Sequence, residues 1–135
     1  MDWFILIGRI VFVLVFVMSG LTIHLLKWRD GVAYAREYGV PAALVPISGL
    51  MAVGGGVLLA LGLWPDLGAL LIAAFAFPVA FWMHGFWKIH DPMMRMNDQA
   101  HFMKDTALGG AALAFFGFFQ QFGEDVGLTL TGPLF

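Results

Sequence analysis

The stretch YGVPAALVPISGLMAVGGGVLLALGLWP, from Tyr38 to Pro65, decides the fold, because its 28 residues include no Asp, Glu, Lys or Arg. Three further uncharged runs, at 10–26, 67–87 and 106–123, have 17, 21 and 18 residues. A helix that crosses a bilayer needs about 20 mainly apolar residues. The runs are continuously apolar rather than alternating, which favours helices over barrel strands. The sequence therefore predicts an all-α membrane protein, a bundle of four transmembrane helices.

The overall composition supports a membrane protein and argues against other classes. Hydrophobic residues make up 61% of the 135 residues and charged residues 12%, against roughly 45–50% and about 25% in soluble domains. This composition disfavours a soluble enzyme and a disordered tail. The formal net charge of -2 offers no basic surface for nucleic acid. The absence of cysteine excludes disulfides and thiolate chemistry.

The uncharged runs also set the predicted boundaries. The predicted helices lie near residues 3–26, 42–63, 67–88 and 102–122. They form a single transmembrane domain over residues 1–122, followed by a short C-terminal tail, 123–135. Residues 28–41 mix apolar and charged side chains, which predicts a short amphipathic segment on the membrane surface between the first two helices.

Small side chains predict how the second helix packs. They recur at every fourth position, at Ser48, Ala52, Gly56 and Ala60. A face of small residues lets helix backbones approach closely where lipid supplies no hydrophobic drive. We therefore expect this face to contact a neighbouring helix within the bundle.

The basic residues predict the orientation. Six of the seven Lys and Arg residues lie in the two longer connections, at Lys27, Arg29, Arg36, Lys88, Arg95 and Lys104. Only Arg9 lies toward the other side of the membrane. Short cytoplasmic loops are enriched in Lys and Arg. Both connections are therefore predicted to be cytoplasmic, with both termini outside the cytoplasm.

Ionisable side chains inside membrane segments are costly and mark candidate functional positions. His24, His84 and His101 each lie at the cytoplasmic end of a predicted helix, so we expect them at one membrane depth. Asp105 follows His101 by four residues and shares its helix face. This spacing predicts a pair in which the carboxylate orients the imidazole. His101 and Asp105 are therefore the candidate catalytic residues.

Pro78 is expected to kink the third helix ahead of His84, because it removes one helical hydrogen bond. The kink lies in a segment rich in aromatic side chains, which can open a flat apolar pocket. The candidate ligand-binding residues are His24, His84, Trp82, Phe86, Trp87 and Arg9. Such a pocket suits a quinone or another planar lipophile.

Alternatives stay open for these residues. Trp and His at helix ends can simply anchor the helices at the interface. Arg9 can snorkel to the outer headgroups, form an ion pair inside the bundle or donate to a ligand carbonyl. Haem or a metal is a weaker expectation than a quinone, because no ligand spacing such as HExxH is present, and no metal ligand is assigned.

Several strings resemble the DoxX family of membrane proteins. They are SGLTIH at 19–24, YAREYGVP at 34–41, MHGFW at 83–87 and HFMKD at 101–105. In this order and spacing the resemblance covers roughly residues 9–118. Two positions depart from the family pattern: many members have Asn at the position of Asp105, and many have a glutamate near Met51–Ala52, where this chain has none.

The resemblance implies a four-helix membrane fold in the bacterial inner (cytoplasmic) membrane. It also implies an association with redox systems, since the family is named after subunits associated with thiosulfate:quinone oxidoreductase and other relatives are linked to oxidative-stress complexes. Three functions stay open. In the first, the chain is a redox-associated subunit that holds a quinone near the cytoplasmic membrane level. In the second, it is a non-catalytic accessory or assembly subunit of a larger membrane complex. In the third, it is a carrier of a small lipophile.

The sequence also constrains the partners. Nothing in it resembles a nicotinamide or flavin fold, so a catalytic role would be that of a quinone-linked oxidoreductase subunit that needs a partner. Besides the lipid bilayer, the expected partner is a membrane or membrane-associated protein, or a second copy of the chain.

Overall fold

The structure of the protein, a computed structural model that describes residues 1–135, is helical throughout and has no strands. The five α-helices are α1 (Asp2–Ser19), α2 (Trp28–Glu37), α3 (Leu44–Leu61), α4 (Pro65–Met83) and α5 (Pro92–Phe122). α1 continues directly into a π-helical segment, Gly20–Leu26, and short 3₁₀ turns at Phe86–Lys88 and Gly123–Asp125 follow α4 and α5. The predicted all-α class is confirmed, and α2 occupies the connection predicted to be amphipathic.

Three helical stretches are long and apolar enough to cross a membrane: Asp2–Leu26, Leu44–Leu61 and Pro65–Lys88. They correspond to the first three predicted helices. α5 has 31 residues but a lower apolar content, and it is not one of these stretches. The chain is thus a helical membrane protein with three helical stretches that have the length and apolar content of membrane spans.

The predicted start of the fourth helix, near residue 102, is wrong. α5 begins at Pro92, and the side chain of Asp91 accepts a hydrogen bond from the Met94 amide at 2.9 Å. Aspartate as N-cap before proline is a strong helix start. A hydropathy profile alone does not show this helix start, because charged and polar residues interrupt the first turns of α5. The predicted end at residue 122 is confirmed.

The third predicted helix, 67–88, is also longer than the observed α4. The helix runs through Pro78 but ends at Met83, and Gly85 follows two residues later. Glycine has a low helix propensity, so the chain can turn here. His84 therefore lies just beyond the end of α4 rather than within a helix.

Glycines set the closest helix contacts. A Cβ atom added to Gly55 in α3 would lie 2.8 Å from the carbonyl oxygen of Gly68 in α4. A Cβ atom on Gly56 would lie 2.6 Å from Cγ2 of Val17 in α1. Two members of the predicted small face, Gly56 and Ala52, are therefore buried in the bundle. Gly55 is not part of that four-residue repeat, and it allows the backbones of α3 and α4 to approach each other.

The C-terminal residues 126–135 fold back over the turn between α3 and α4. Gly62 ends α3 in the left-handed conformation, with φ of 64°, and its carbonyl accepts from the Leu130 and Thr131 amides, both at 3.0 Å. The Trp64 amide donates to Thr131 Oγ1 at 2.8 Å. The predicted tail is therefore hydrogen-bonded onto the bundle.

Two charged side chains are fully buried at this end. Arg9 donates from Nη2 to the Leu128 carbonyl at 2.6 Å. Asp66 accepts from Gln120 Nε2 at 2.8 Å and from the amides of Leu134 and Phe135 at 2.8 and 3.1 Å. We call this region, built around Arg9, Asp66 and residues 126–135, the sealed end of the bundle.

Candidate ligand-binding cavity

A cavity of about 620 Å³ lies at the opposite end of the bundle from the sealed end, and all five helices contribute to its wall. Its inner part is apolar, lined by side chains that include Phe16, Met51, Phe75, Pro78 and Leu108. Its other part is lined by Tyr34, His84, Asn97, Asp98, His101, Lys104 and Asp105, which we call the polar end of the cavity. One cavity thus combines an apolar interior with a cluster of titratable groups.

His24 lies on the cavity wall in a defined orientation. The π-helical turn carries it against α3, where Nδ1 lies 3.1 Å from the Val45 carbonyl oxygen and 2.9 Å from Ser48 Oγ. A carbonyl oxygen only accepts, so the Nδ1 that contacts it carries the proton. The ring packs edge to face on Phe75, with centroids 5.5 Å apart. π-Helical turns often occur at functional sites, where they re-aim side chains.

His84 lies between two carboxylates of α5. Its Nδ1 is 3.3 Å from Asp98 Oδ1, and its Nε2 is 3.6 Å from Asp105 Oδ2. Asp98 and Asp105 are seven residues apart, or about two helical turns, and therefore point to the same side of α5. The contact of Nδ1 with Asp98 is within hydrogen-bonding distance, whereas that of Nε2 with Asp105 is longer than a hydrogen bond.

The environment of this cluster is largely dry. The side chains of His84, Asp98 and Asp105 are 14%, 11% and 13% exposed. Lys104 Nζ lies 3.2 Å from Asp105 Oδ1 and is half exposed, so it connects the cluster to the surface. Charges held in such surroundings interact more strongly than on the protein surface.

The predicted pair between His101 and Asp105 is not formed. Asp105 contacts His84 and Lys104 instead, although His101 is on the same face of α5. His101 stacks on His84, with ring centroids 5.0 Å apart and an interplanar angle of 22°. His84 enters between the two carboxylates from the end of α4, an approach that spacing along one helix does not show.

Tyr34 contributes to the polar end from α2. Its hydroxyl donates to the Tyr38 hydroxyl at 3.3 Å. Burial raises the pKa of the Tyr34 phenol, and the hydrogen bond to Tyr38 and the charges of Asp98 and Glu37 raise it further. The neutral phenol is therefore favoured at this position.

The structure brings five of the predicted residues to the cavity: His24, Trp82, His84, His101 and Asp105. Phe86 and Trp87 do not line it. They pack with Phe102, at centroid distances of 5.5 and 5.6 Å. Arg9 lies at the sealed end, where complete burial rules out snorkelling and its hydrogen-bond acceptor is a backbone carbonyl.

Sequence reasoning missed Asp98, Tyr34 and Ser48. The signal for Asp98 was present, because the Asp91–Pro92 start would have placed residues 98, 101 and 105 on one face of a single helix. The sequence marked Ser48 only as part of the small face of α3, since its contact with His24 depends on the π-helical turn that brings the ring to it.

Chemically, the polar end offers both hydrogen-bond donors and acceptors, from its imidazoles, carboxylates, phenol and ammonium group. No three histidine, aspartate or glutamate side chains are arranged to hold a metal ion. The geometry therefore fits an organic molecule with an apolar body and a polar terminus better than a metal centre.

Comparison with known proteins finds one family. The DoxX family model matches residues 4–85, from the start of α1 to just past the end of α4. His24, Trp82 and His84 lie inside this range, whereas the α5 residues Asp98 and Asp105 lie beyond it. No curated protein and no solved structure matches the chain.

Proposed function

This chain belongs to the DoxX family of membrane proteins, and we propose that it is a redox-associated membrane subunit that holds a quinone or a similar planar lipophile in the cavity. The single observation that carries the proposal is the division of this cavity into an apolar interior and a titratable polar end. The volume of about 620 Å³ lies within the range of roughly 300–1,000 Å³ that is usual for organic ligands.

The polar end supplies the contacts for the ligand's oxygen atoms. His84 and His101 can donate a hydrogen bond to a ligand oxygen, and Asp105 can accept one from a ligand hydroxyl, so each can exchange a proton with the ligand. The ring and any alkyl chain would contact the apolar interior, at Phe75 and Met51 among others. Electrons would have to come from a partner protein, because the chain has no nicotinamide or flavin fold.

We place the cavity near the cytoplasmic face of the membrane and propose that α5 is the fourth span. The support is the uncharged run 106–123 within α5, together with the six basic residues on the cavity side against Arg9 on the other. Reporter fusions at residues 95 and 135 test this topology. A cytoplasmic reporter at 95 and an external reporter at 135 are expected, and both on one side would contradict the fourth span.

The binding proposal is tested with the full chain in lipid nanodiscs, titrated with a short-chain benzoquinone. His84→Leu removes a polar contact at the cavity and should weaken binding by about tenfold. Phe86→Leu is the matched control, because Phe86 lies close in sequence but outside the lining. Its affinity should equal that of the wild type.

Two outcomes would contradict the proposal. One is the absence of saturable quinone binding by the wild-type chain. The other is an unchanged affinity in His84→Leu. The first result would favour the accessory-subunit alternative, in which the bundle packs against a larger membrane complex without binding a ligand. The second would mean that the bound quinone does not contact His84.

A further inference from the structure

We infer that the cavity prefers a ligand that donates hydrogen bonds, namely a lipophilic phenol or hydroquinone, over one whose oxygens only accept, such as a quinone. The inference rests on the proposed function and narrows the chemical class of its ligand. It follows from counting which polar atoms at the cavity are still free to pair.

His24 presents an acceptor. Its Nδ1 proton is already engaged by the Val45 carbonyl and Ser48 Oγ on α3. Nε2 of the neutral ring is then an acceptor, and it has no partner in the protein although the ring lines the cavity. A ligand hydroxyl can donate to this nitrogen, whereas a ligand carbonyl cannot.

The polar end is also rich in acceptors. Carboxylates only accept, and each offers about four lone-pair positions. The structure shows one contact on Asp98 and two on Asp105, so both retain free positions. The Tyr34 hydroxyl adds a further acceptor, since its hydrogen is directed to Tyr38.

Donors at the polar end are largely engaged. Both ring nitrogens of His84 face carboxylates, and one N–H of Lys104 is engaged by Asp105. The other N–H groups of Lys104 and the indole N–H of Trp82 belong to side chains that are 49% and 45% exposed, so their surroundings outside the cavity can also accept from them. Asn97 is exposed. His101, stacked on His84, therefore contributes the one sheltered N–H that is not already paired. A ligand with two oxygens that only accept would leave lone pairs facing lone pairs, which is unfavourable in a dry site.

The test compares three probes of equal alkyl chain length: a 4-alkylphenol, its methyl ether and the corresponding alkyl-1,4-benzoquinone. Binding to the wild-type chain is measured in nanodiscs, after correction for partitioning into empty nanodiscs. The phenol should bind about tenfold more tightly than the ether and the quinone, because only the phenol donates a hydrogen bond.

Two variants assign the preference to His24. His24→Leu removes the acceptor, so the ratio of phenol to ether affinity should approach one. Phe86→Leu is the matched control, because Phe86 lies outside the cavity lining and His24 keeps its contacts with Val45 and Ser48, so Nε2 stays an acceptor. The ratio should therefore stay near its wild-type value. The comparison of the three probes uses the wild-type chain alone, so it tests the preference even if neither variant folds.

The outcomes separate this inference from the proposed function. Equal or tighter binding of the quinone or the ether by the wild type overturns the donor preference and leaves the lipophile site standing. A ratio that survives His24→Leu overturns the assignment to His24. If none of the three probes binds, both the preference and the proposed function are overturned.

Discussion

The two ends of the bundle bury charged side chains in different ways. At the sealed end, the side chains of Arg9 and Asp66 are bound mainly by backbone groups of residues 126–135. At the cavity, His84 is bound by the side chains of Asp98 and Asp105 on another helix. Burying a charge is costly unless it is hydrogen-bonded. Asp66 meets this requirement with three donors, whereas Arg9 makes one hydrogen bond, and its buried Nε and Nη1 have no partner.

The two ends differ in whether a ligand can replace a hydrogen-bond partner of the buried side chains. Asp66 is fully buried, and three donors converge on it in a region that contains no comparable cavity. His84 and its carboxylates border an open volume, and a ligand can replace or add a partner there. The comparison indicates that the sealed end is closed by hydrogen bonds, while the cavity end leaves space for a ligand.

The largest expected effect is at the sealed end. Asp66→Leu would leave the Gln120 amide and two backbone amides without their acceptor. We expect a loss of about 4 kcal/mol in the free energy of unfolding, measured by thermal unfolding in detergent. Asp125→Leu, an exposed change near the same end, should cost less than about 0.5 kcal/mol. Similar losses in both variants would remove the distinction between a sealed end and an ordinary surface.

A smaller effect is expected at the cavity. Asp98→Asn keeps the size of the side chain and one acceptor but removes the charge opposite His84. Stability should fall by about 1 kcal/mol, while affinity for the alkylphenol should fall severalfold. Gln99→Ala, on the exposed neighbouring position outside the cavity lining, serves as control for both measurements. A loss as large as that of Asp66→Leu would mean that both ends are structural.

The smallest effect concerns pH. The ordinary pKa of a tyrosine is about 10, and burial raises the pKa of Tyr34 in the folded chain. A raised pKa contributes stability that is present below about pH 10 and is lost as the pH rises through the folded value. Tyr34→Phe lacks this dependence. The unfolding temperature of the wild type should therefore fall relative to that of Tyr34→Phe above about pH 10. Parallel curves across that range would place Tyr34 in open solvent.

Much of the fold could be predicted because hydropathy and length act locally. Three of the four predicted helices match membrane-competent stretches, and the amphipathic connection forms α2. The start of α5 was misplaced because capping, not hydropathy, determines it. His24, His84 and His101 were expected together because each lies near the end of a predicted helix, and all three line the cavity, although His101 lies inside α5 rather than at its start.

The partners of the charged groups could not be predicted in the same way. Spacing along α5 placed His101 and Asp105 on one face, yet His84 from the end of α4 takes the contact with Asp105. Arg9 and Asp66 are bound by backbone groups. Because almost every residue carries the same backbone groups, the sequence does not identify these partners.

By itself, the sequence determined that this chain is a helical membrane protein with titratable groups concentrated toward one side. Apolar length and charge placement act on each segment separately, so they can be evaluated without knowing how the segments pack. Only the tertiary structure decided that one end is closed by the tail and the other holds a cavity. Those features depend on glycine contacts between helices, on the π-helical turn that carries His24 and on side chains that meet from different helices, and each is a property of the packed bundle.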